Sequence, residues 1–135
     1  MIPPARLEMR PLTLVMFSVS VRRVSDVGAD TVVVTAEYDL DGALSGHARH
    51  QLEEVLRPVT AMVVLDVSDV FVGVAGLGLL LDVVRRRHAI GRLIGLVGVM
   101  PRLVELVNGL GLPTLPTFVS IEAAAQAAIA IPRAG

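Results

Sequence analysis

The chain has 135 residues, a net charge of −1, 53% hydrophobic residues and 19% charged residues, which is enough apolar content for one domain with a sizeable core. It contains no cysteine, so disulfides, thiol catalysis and zinc–thiolate sites are excluded. All twelve basic residues are arginine, which excludes a P-loop lysine, Schiff-base chemistry and a lysine general base.

Neither a membrane span nor a nucleic-acid interface is indicated by the sequence. The longest uncharged run, residues 106–121, is shorter than a span and is interrupted by Pro113 and Pro116. The first residues lack the apolar region of a secretion signal, so we expect residues 1–11 to be a flexible tail of a cytoplasmic protein. With mixed charges and only four aromatic residues, the chain offers no stacking platform for nucleic acid.

The first half of the chain predicts a hairpin followed by a helix. The second half of residues 14–24 alternates apolar and polar side chains, residues 25–30 supply turn formers, and residues 31–38 are rich in β-branched side chains. A helical period then begins, with Ser45 as the expected N-cap of the helix and Pro58 as the residue that ends it. The apolar stripe of this helix consists of Leu44, Ala48, Leu52, Val55, Leu56 and Val59.

The second half predicts three strands, each followed by a helix. The apolar run 62–67 is typical of a central strand, and the next helix, which Gly91 ends, carries a stripe of Leu77, Leu80, Leu81, Val84 and His88. Residues 93–99 form the next predicted strand, and a helix from Pro101 follows, with Gly109 and Gly111 ending an apolar face of Leu103, Val104, Val107 and Leu110. A short edge strand at residues 117–119 and a last helix, capped by Ser120 and reaching Ile131, complete the pattern.

This order, ββαβαβαβα, predicts one α/β domain over residues 12–131, with a mixed sheet of four or five strands and about four helices, packed mainly on one face. Ligands of such sheets bind beyond the carboxyl ends of the strands. There the turn of residues 73–76 carries no acid, base, nucleophile or hydroxyl. We therefore expect contact rather than catalysis at this turn, and neither a cofactor nor a metal.

Three segments resemble the STAS family, the anti-sigma factor antagonists and their relatives: residues 34–39 (VTAEYD), 64–71 (VLDVSDVF) and 76–81 (GLGLLL). In that family a Gly-Glu-Leu-Asp motif ends the second strand, an Asp-Leu-Ser-like segment ends the third, and an Asp-Ser-Ser-Gly loop opens the second helix. The resemblance extends from about residue 14 to residue 129. It implies a STAS-like fold and a bacterial regulator of transcription that acts on a sigma factor by binding an anti-sigma factor.

The loop before the second helix departs from the family pattern. Aligned on Gly76, the family's acidic residue falls on Gly73, its phosphorylatable serine on Val74 and the next serine on Ala75. Val74 has no hydroxyl, so phosphorylation cannot operate at this position.

A helix that starts at such a loop has no side chain to satisfy its free N–H groups, and the partial positive charge of its start attracts a partner's carboxylate or carbonyl. We therefore predict a constitutive docking surface, and Asp39 and Asp66 give it a negative rim by analogy with the family. The alternative is a tight glycine connection whose N–H groups are satisfied by water or by a loop residue. The predicted partner-binding residues are Asp39, Asp66, Gly73, Val74, Ala75, Gly76 and Leu77.

Other patterns receive plainer interpretations. The Gly76-x-Gly78 pair lacks the third glycine and the acidic residue of a dinucleotide site. His47 and His50 lack a third metal ligand, and Asp39, Asp41 and Asp66 are typical of strand ends and turns. Ser45 and Ser68 are weak candidates for phosphorylation. The run of residues 85–88 (RRRH) fits a solvated helix end better than a phosphate patch.

The sequence thus predicts a non-enzymatic regulator whose partner is an anti-sigma factor or a comparable protein. The alternative function is a STAS accessory or scaffold subunit, for example of a lipid-transport complex with an ATPase, or a structural homodimer. An enzyme of unknown type ranks third.

Overall fold

A computed structural model describes residues 15–23, 30–111 and 115–130. The elements are β1 (Phe17–Arg23), β2 (Asp30–Ala36), a single 3-10 turn (Gly42–Leu44), α1 (Ser45–Leu56), β3 (Met62–Asp66), α2 (Val74–Ala89), β4 (Ile94–Val97), α3 (Pro101–Gly109), β5 (Thr117–Phe118) and α4 (Ile121–Ala130). This confirms the predicted order, the α/β class and the mixed sheet. The expected tail at residues 1–11 and the predicted hairpin turn lie outside the described residues.

The five strands lie side by side in chain order. β1 pairs antiparallel with β2, while β2, β3, β4 and β5 pair in parallel, so β3 is the central strand and β5 an edge, as predicted. Parallel neighbours need crossover connections, which α1, α2 and α3 provide. The carboxyl ends of β2 to β5 consequently lie at one edge of the sheet, where the candidate site is found.

The core has two parts, one on each face of the sheet. Alternate residues of β3 point to opposite faces, so Val63 and Leu65 join the larger cluster while Val64 joins the smaller one. The larger cluster includes buried side chains of the first three helices; among them are Leu52, Leu80 and Val107. The smaller cluster packs Ala124 of α4 against the other face. Three helices therefore cover one face and one helix covers the other.

Two helix caps test the capping predictions. Ser120 Oγ accepts a hydrogen bond from the Ala123 N–H at 3.0 Å, which confirms Ser120 as the cap of α4. The prediction for Ser45 is wrong. The 3-10 turn places Leu44 at the cap position of α1, and the Ser45 hydroxyl donates to the Gly42 carbonyl at 2.6 Å instead of accepting a helix N–H.

Some side chains at the ends of α2 and α3 lie elsewhere than predicted. Gly91 does end α2, with a φ of 70°. His88, however, is exposed, and Arg87 occupies the buried position one residue earlier. At the end of α3, Leu110 is 64% exposed and so does not extend the apolar face to the core. Both misplacements fall at the C-terminal ends of helices, where the chain turns back toward the next strand.

Candidate functional site

The candidate site is the segment from Asp66 to Gly76, which leaves the carboxyl end of the central strand and enters α2. It is tied to the segment that follows β2. Leu40 donates its N–H to the Phe71 carbonyl at 2.8 Å, and Gly73 donates its N–H to the Leu40 carbonyl at 3.1 Å. These bonds form an isolated parallel bridge between Leu40 and Val72 beyond the ends of the strands. The two segments therefore hold each other as one unit.

Two glycines make this close approach possible. An ideal Cβ on Gly76 would lie 2.8 Å from the Leu40 carbonyl carbon and closer still to its oxygen. At Gly73, the space for a Cβ is filled by the carboxylate of Asp41. Both glycines are buried. Each position needs a residue without a side chain, and neither needs an unusual backbone angle.

The start of α2 has no side-chain cap. Gly73 is the N-cap residue, its backbone is extended, and it makes no side-chain cap hydrogen bond. This confirms the uncapped helix start inferred from the lack of hydroxyls. The free N–H groups of the first turn and the helix dipole favour an acceptor group at this position.

Of the seven predicted partner-binding residues, three are exposed, three are buried, and Asp66 is half-buried. Val74 is 80% exposed, and Ala75 is exposed next to it in the chain. Asp39, in the segment that follows β2, is also exposed. Gly73, Gly76 and Leu77 are buried, and Leu77 belongs to the main core cluster. Leu77 therefore supports the loop from below. Within the described chain, the exposed residues of the loop itself are Val74 and Ala75.

Three of the four aspartates of this region, Asp39, Asp41 and Asp66, each have a separate local role. Asp39 Oδ1 accepts the Phe71 N–H at 2.8 Å. Asp66 Oδ1 accepts the Ser68 N–H at 2.9 Å and the Ser68 hydroxyl at 2.5 Å. Asp41 packs against Gly73. These contacts agree with turn-forming roles, and no group of three His, Asp or Glu residues within the described ranges could hold a metal ion.

Exposed apolar side chains follow the ends of all four parallel strands, and of these only Val74 was among the site residues predicted from the sequence. They are Tyr38 after β2, Phe71 and Val74 after β3, Met100 after β4 and Val119 after β5. A depression of about 610 Å³ lies at the same edge, between the start of α3 and β5. The sequence signal that could have revealed these side chains is an apolar residue just beyond the end of a strand, where polar turn formers are usual.

The same edge is acidic on the side of β2 and β3. Glu37, Asp39, Asp41, Asp66 and Asp69 all follow these two strands. No arginine occurs between residues 24 and 48 or between residues 58 and 84. The surface around the loop therefore combines apolar side chains with carboxylates.

The run of residues 85–88 differs from its predicted character at one position. Arg85, Arg86 and His88 are exposed, as expected of a solvated helix end. Arg87 is buried, with 4% exposure, and donates to the carbonyls of Val59, Ala61 and Leu93 at 2.9 to 3.3 Å. The prediction of a wholly solvated run is wrong because backbone carbonyls from other segments meet at this side chain.

The family model for the STAS domain matches residues 19–124, which is most of the chain. The chain belongs to the STAS family. This confirms the predicted resemblance to the STAS family. No curated protein matches this chain in sequence.

Several solved structures share this STAS fold at low sequence identity. The unphosphorylated anti-sigma factor antagonist SpoIIAA is 17% identical, with a TM-score of 0.58 over 84% of this chain and 96% of SpoIIAA. An anti-sigma factor antagonist from Mycobacterium paratuberculosis is 21% identical, with a TM-score of 0.56 over 82% of this chain and 92% of that chain. The murine anion transporter Slc26a9 is 20% identical, with a TM-score of 0.60, and 84% of this STAS chain corresponds to 22% of the transporter.

The likeness to a transporter raises the question of a membrane segment. In the described ranges, no helix is both long enough and apolar enough to cross a membrane.

Proposed function

We propose that this STAS protein is a non-enzymatic regulator that binds an anti-sigma factor through the loop before α2, and that phosphorylation does not control this loop. The observation that carries the proposal is the exposure of Val74, 80%, at the uncapped start of α2. The structural likeness of this chain to two anti-sigma factor antagonists supports an anti-sigma factor as the class of partner.

The apolar character of the loop supports binding over chemistry. Phe71 is 54% exposed and Tyr38 is 43% exposed, so Val74 has apolar neighbours in the two segments that the Leu40–Val72 bridge joins. Exposed apolar side chains that cluster on a small domain are typical of protein interaction sites. Hydrogen bonds from Phe71 to Asp39 and from Gly73 to Leu40 fix the loop before any partner arrives. A partner therefore meets a preformed surface, which lowers the entropic cost of binding.

The charges around the loop indicate the chemistry of the partner. Asp39, Asp41 and Asp69 lie in the same two segments as the apolar residues, and no arginine lies in these segments. Complementary potentials speed association and exclude wrong partners. We therefore expect the partner's surface to present arginine or lysine side chains around an apolar centre.

The absence of a hydroxyl at the loop supports constitutive binding. Val74 and Ala75 cannot accept a phosphate, and the Ser68 hydroxyl is engaged with Asp66 at 2.5 Å. A phosphate of nearly two negative charges would be the usual means of switching such a surface. Control of this protein would then act through the amount of partner or of the chain itself.

A calorimetric titration of the full chain with each purified candidate anti-sigma factor tests the proposal. We expect saturable one-to-one binding to at least one of them, and no mass increase of 80 Da on residues 66–76 after incubation with the same factor and ATP. A phosphorylated Ser68 would contradict the lack of control by phosphorylation. Binding only to a transport ATPase or permease, or only to a second copy of the chain, would favour the accessory-subunit function instead. In either case we expect the protein to act in the cytoplasm.

A further inference from the structure

A groove of about 330 Å³ lies at the amino edge of the sheet, far from the docking loop. It is formed by the last turns of α1 and α2 and by the residue that leads into β4. Its apolar lining consists of Leu56, Val83 and Ile90. The loop lies at the other end of α2, whose 16 residues span roughly 24 Å at the usual helical rise. The groove and the docking loop are therefore separate sites.

The groove is rich in arginine, and its four guanidinium groups differ in how they are neutralised. Arg57 pairs with Glu54, and Arg86 pairs with Glu53 and Asp82. Arg87 and Arg92 have no carboxylate partner among residues 15–23, 30–111 and 115–130; their hydrogen bonds go to backbone carbonyls. Two cations at the groove therefore lack an anionic counterpart.

Carbonyls at the end of α1 offset only part of this charge. A helix C-terminus is equivalent to roughly half a negative charge, whereas Arg87 and Arg92 carry two full positive charges. Only 4% of the Arg87 surface is exposed. Its Nε atom is buried and has no hydrogen-bond partner in the described chain. Burial lowers the pKa of Arg87, and the like charge of the nearby Arg92, which repels the guanidinium, lowers it further. An anion in the groove would relieve this repulsion.

We propose that this groove binds a small phosphate monoester, with the phosphate dianion held by Arg92 above the buried charge of Arg87 and with an apolar group against Leu56, Val83 and Ile90. A dianion matches the two arginines that lack carboxylate partners. Guanidinium groups recognise phosphate through two parallel N–H donors, and Arg92 is partly exposed, so it can direct donors into the groove. This site is independent of the docking of an anti-sigma factor.

Ile90 provides a test that leaves every arginine–carbonyl bond in place. Its side chain lines the groove and is 61% exposed, so substitutions there preserve the core. Ile90→Glu adds a carboxylate beside the arginines, whereas Ile90→Gln has nearly the same shape without the charge. The probes are phenyl phosphate and benzoate, each titrated into the ¹⁵N-labelled full chain at pH 7.5 and followed by amide chemical shifts.

We expect saturable shifts with phenyl phosphate at amides of residues 53–57 and 83–92, and at least tenfold tighter binding than for benzoate. Ile90→Glu should weaken the phenyl phosphate affinity at least tenfold relative to Ile90→Gln. Shifts that do not saturate, equal affinities for the two probes, or equal affinities of the two variants would each overturn the proposal. Because the docking loop is untouched, these outcomes do not depend on whether an anti-sigma factor binds.

Discussion

The carboxylate of Asp41 occupies the space that a side chain at Gly73 would need. An ideal Cβ on Gly73 would lie 2.6 Å from Asp41 Oδ2 and closer still to the Oδ1 and Cγ atoms. The residue at position 73 and the segment after β2 are therefore coupled. The family resemblance aligns an acidic residue with position 73, and in this structure the carboxylate of Asp41 reaches that place from a different segment.

This coupling predicts that Gly73→Ala and Asp41→Ala are not additive. Gly73→Ala forces the Asp41 side chain away and replaces a favourable N-cap residue, so we expect a loss of about 1–2 kcal/mol in the free energy of unfolding. In the Asp41→Ala background the same change should cost at least about 0.5 kcal/mol less. Urea unfolding of the four proteins measures this difference, and equal costs in both backgrounds would show that the two residues are not coupled.

Gly76 and Gly78 form a matched pair of glycines, two residues apart on α2. A Cβ on Gly76 meets the Leu40 carbonyl, which is fixed by the bridge to Val72, whereas a Cβ on Gly78 meets nothing within 4 Å. We expect Gly76→Ala to destabilise the protein by about 2–3 kcal/mol. Gly78→Ala should stabilise it by about 0.5–1 kcal/mol, since alanine favours a helix interior. Thermal unfolding of both variants gives the sign, and a tolerated Gly76→Ala would show that the Leu40 segment can move.

Arg87 is expected to be the arginine on which stability depends most. Its guanidinium satisfies carbonyls at the end of α1 and before β3 and β4. Arg87→Met leaves those carbonyls without a donor, so we expect a loss of about 2–4 kcal/mol. The exposed Arg85, which pairs with Asp82, serves as the control: Arg85→Met should cost less than about 1 kcal/mol. Equal losses in guanidinium chloride unfolding would contradict the structural role of Arg87.

Asp82 should make stability depend on pH in the acidic range. Burial tends to raise the pKa of its carboxyl, but hydrogen bonds from Arg85 and Arg49 and the charges of Arg86 and Arg49 outweigh burial and hold the pKa below its usual 3.8. A carboxyl with a lowered folded-state pKa stabilises the fold above its unfolded value, and this contribution is lost as the pH falls through the folded value.

We therefore expect Asp82→Asn to cost about 1–2 kcal/mol at pH 7 and progressively less below pH 3.8. Urea unfolding at a series of pH values measures the difference between the parent and the variant. Glu54→Gln, which removes an exposed pair with Arg57, is the control and should change little at any pH. A cost of Asp82→Asn that is constant from pH 7 to pH 2.5 would exclude the carboxylate network as its source.

The sequence patterns predicted what depends on local chemistry. The alternation in β1, the apolar run of β3, the proline at the start of α3 and the Ser120 cap are all encoded within a few residues, and the structure confirms them. The uncapped start of α2 follows from the lack of a hydroxyl in residues 73–76 and was equally predictable.

Features that depend on distant segments were not predictable in this way. Arg87 is buried because carbonyls from two other segments, the α1–β3 connection and the residue before β4, converge on it, and its own helix pattern gives no sign of them. Asp41 lies against Gly73 because parallel strands bring residues 32 positions apart together at one edge. Ser45 failed as a cap because the 3-10 turn before it shifted the helix start by one residue.

The affinity of the anti-sigma factor for Val74 and Leu110 variants tests the central claim most directly. Val74 is 80% exposed at the docking loop, and Leu110 is 64% exposed at the end of α3, beyond the opposite edge of the sheet. Each is changed to aspartate, and binding to the factor found by titration is measured by calorimetry. We predict that Val74→Asp weakens binding at least tenfold, about 1.4 kcal/mol, whereas Leu110→Asp binds like the parent. Equal affinities of Val74→Asp and the parent would contradict the proposal that this loop is the docking surface.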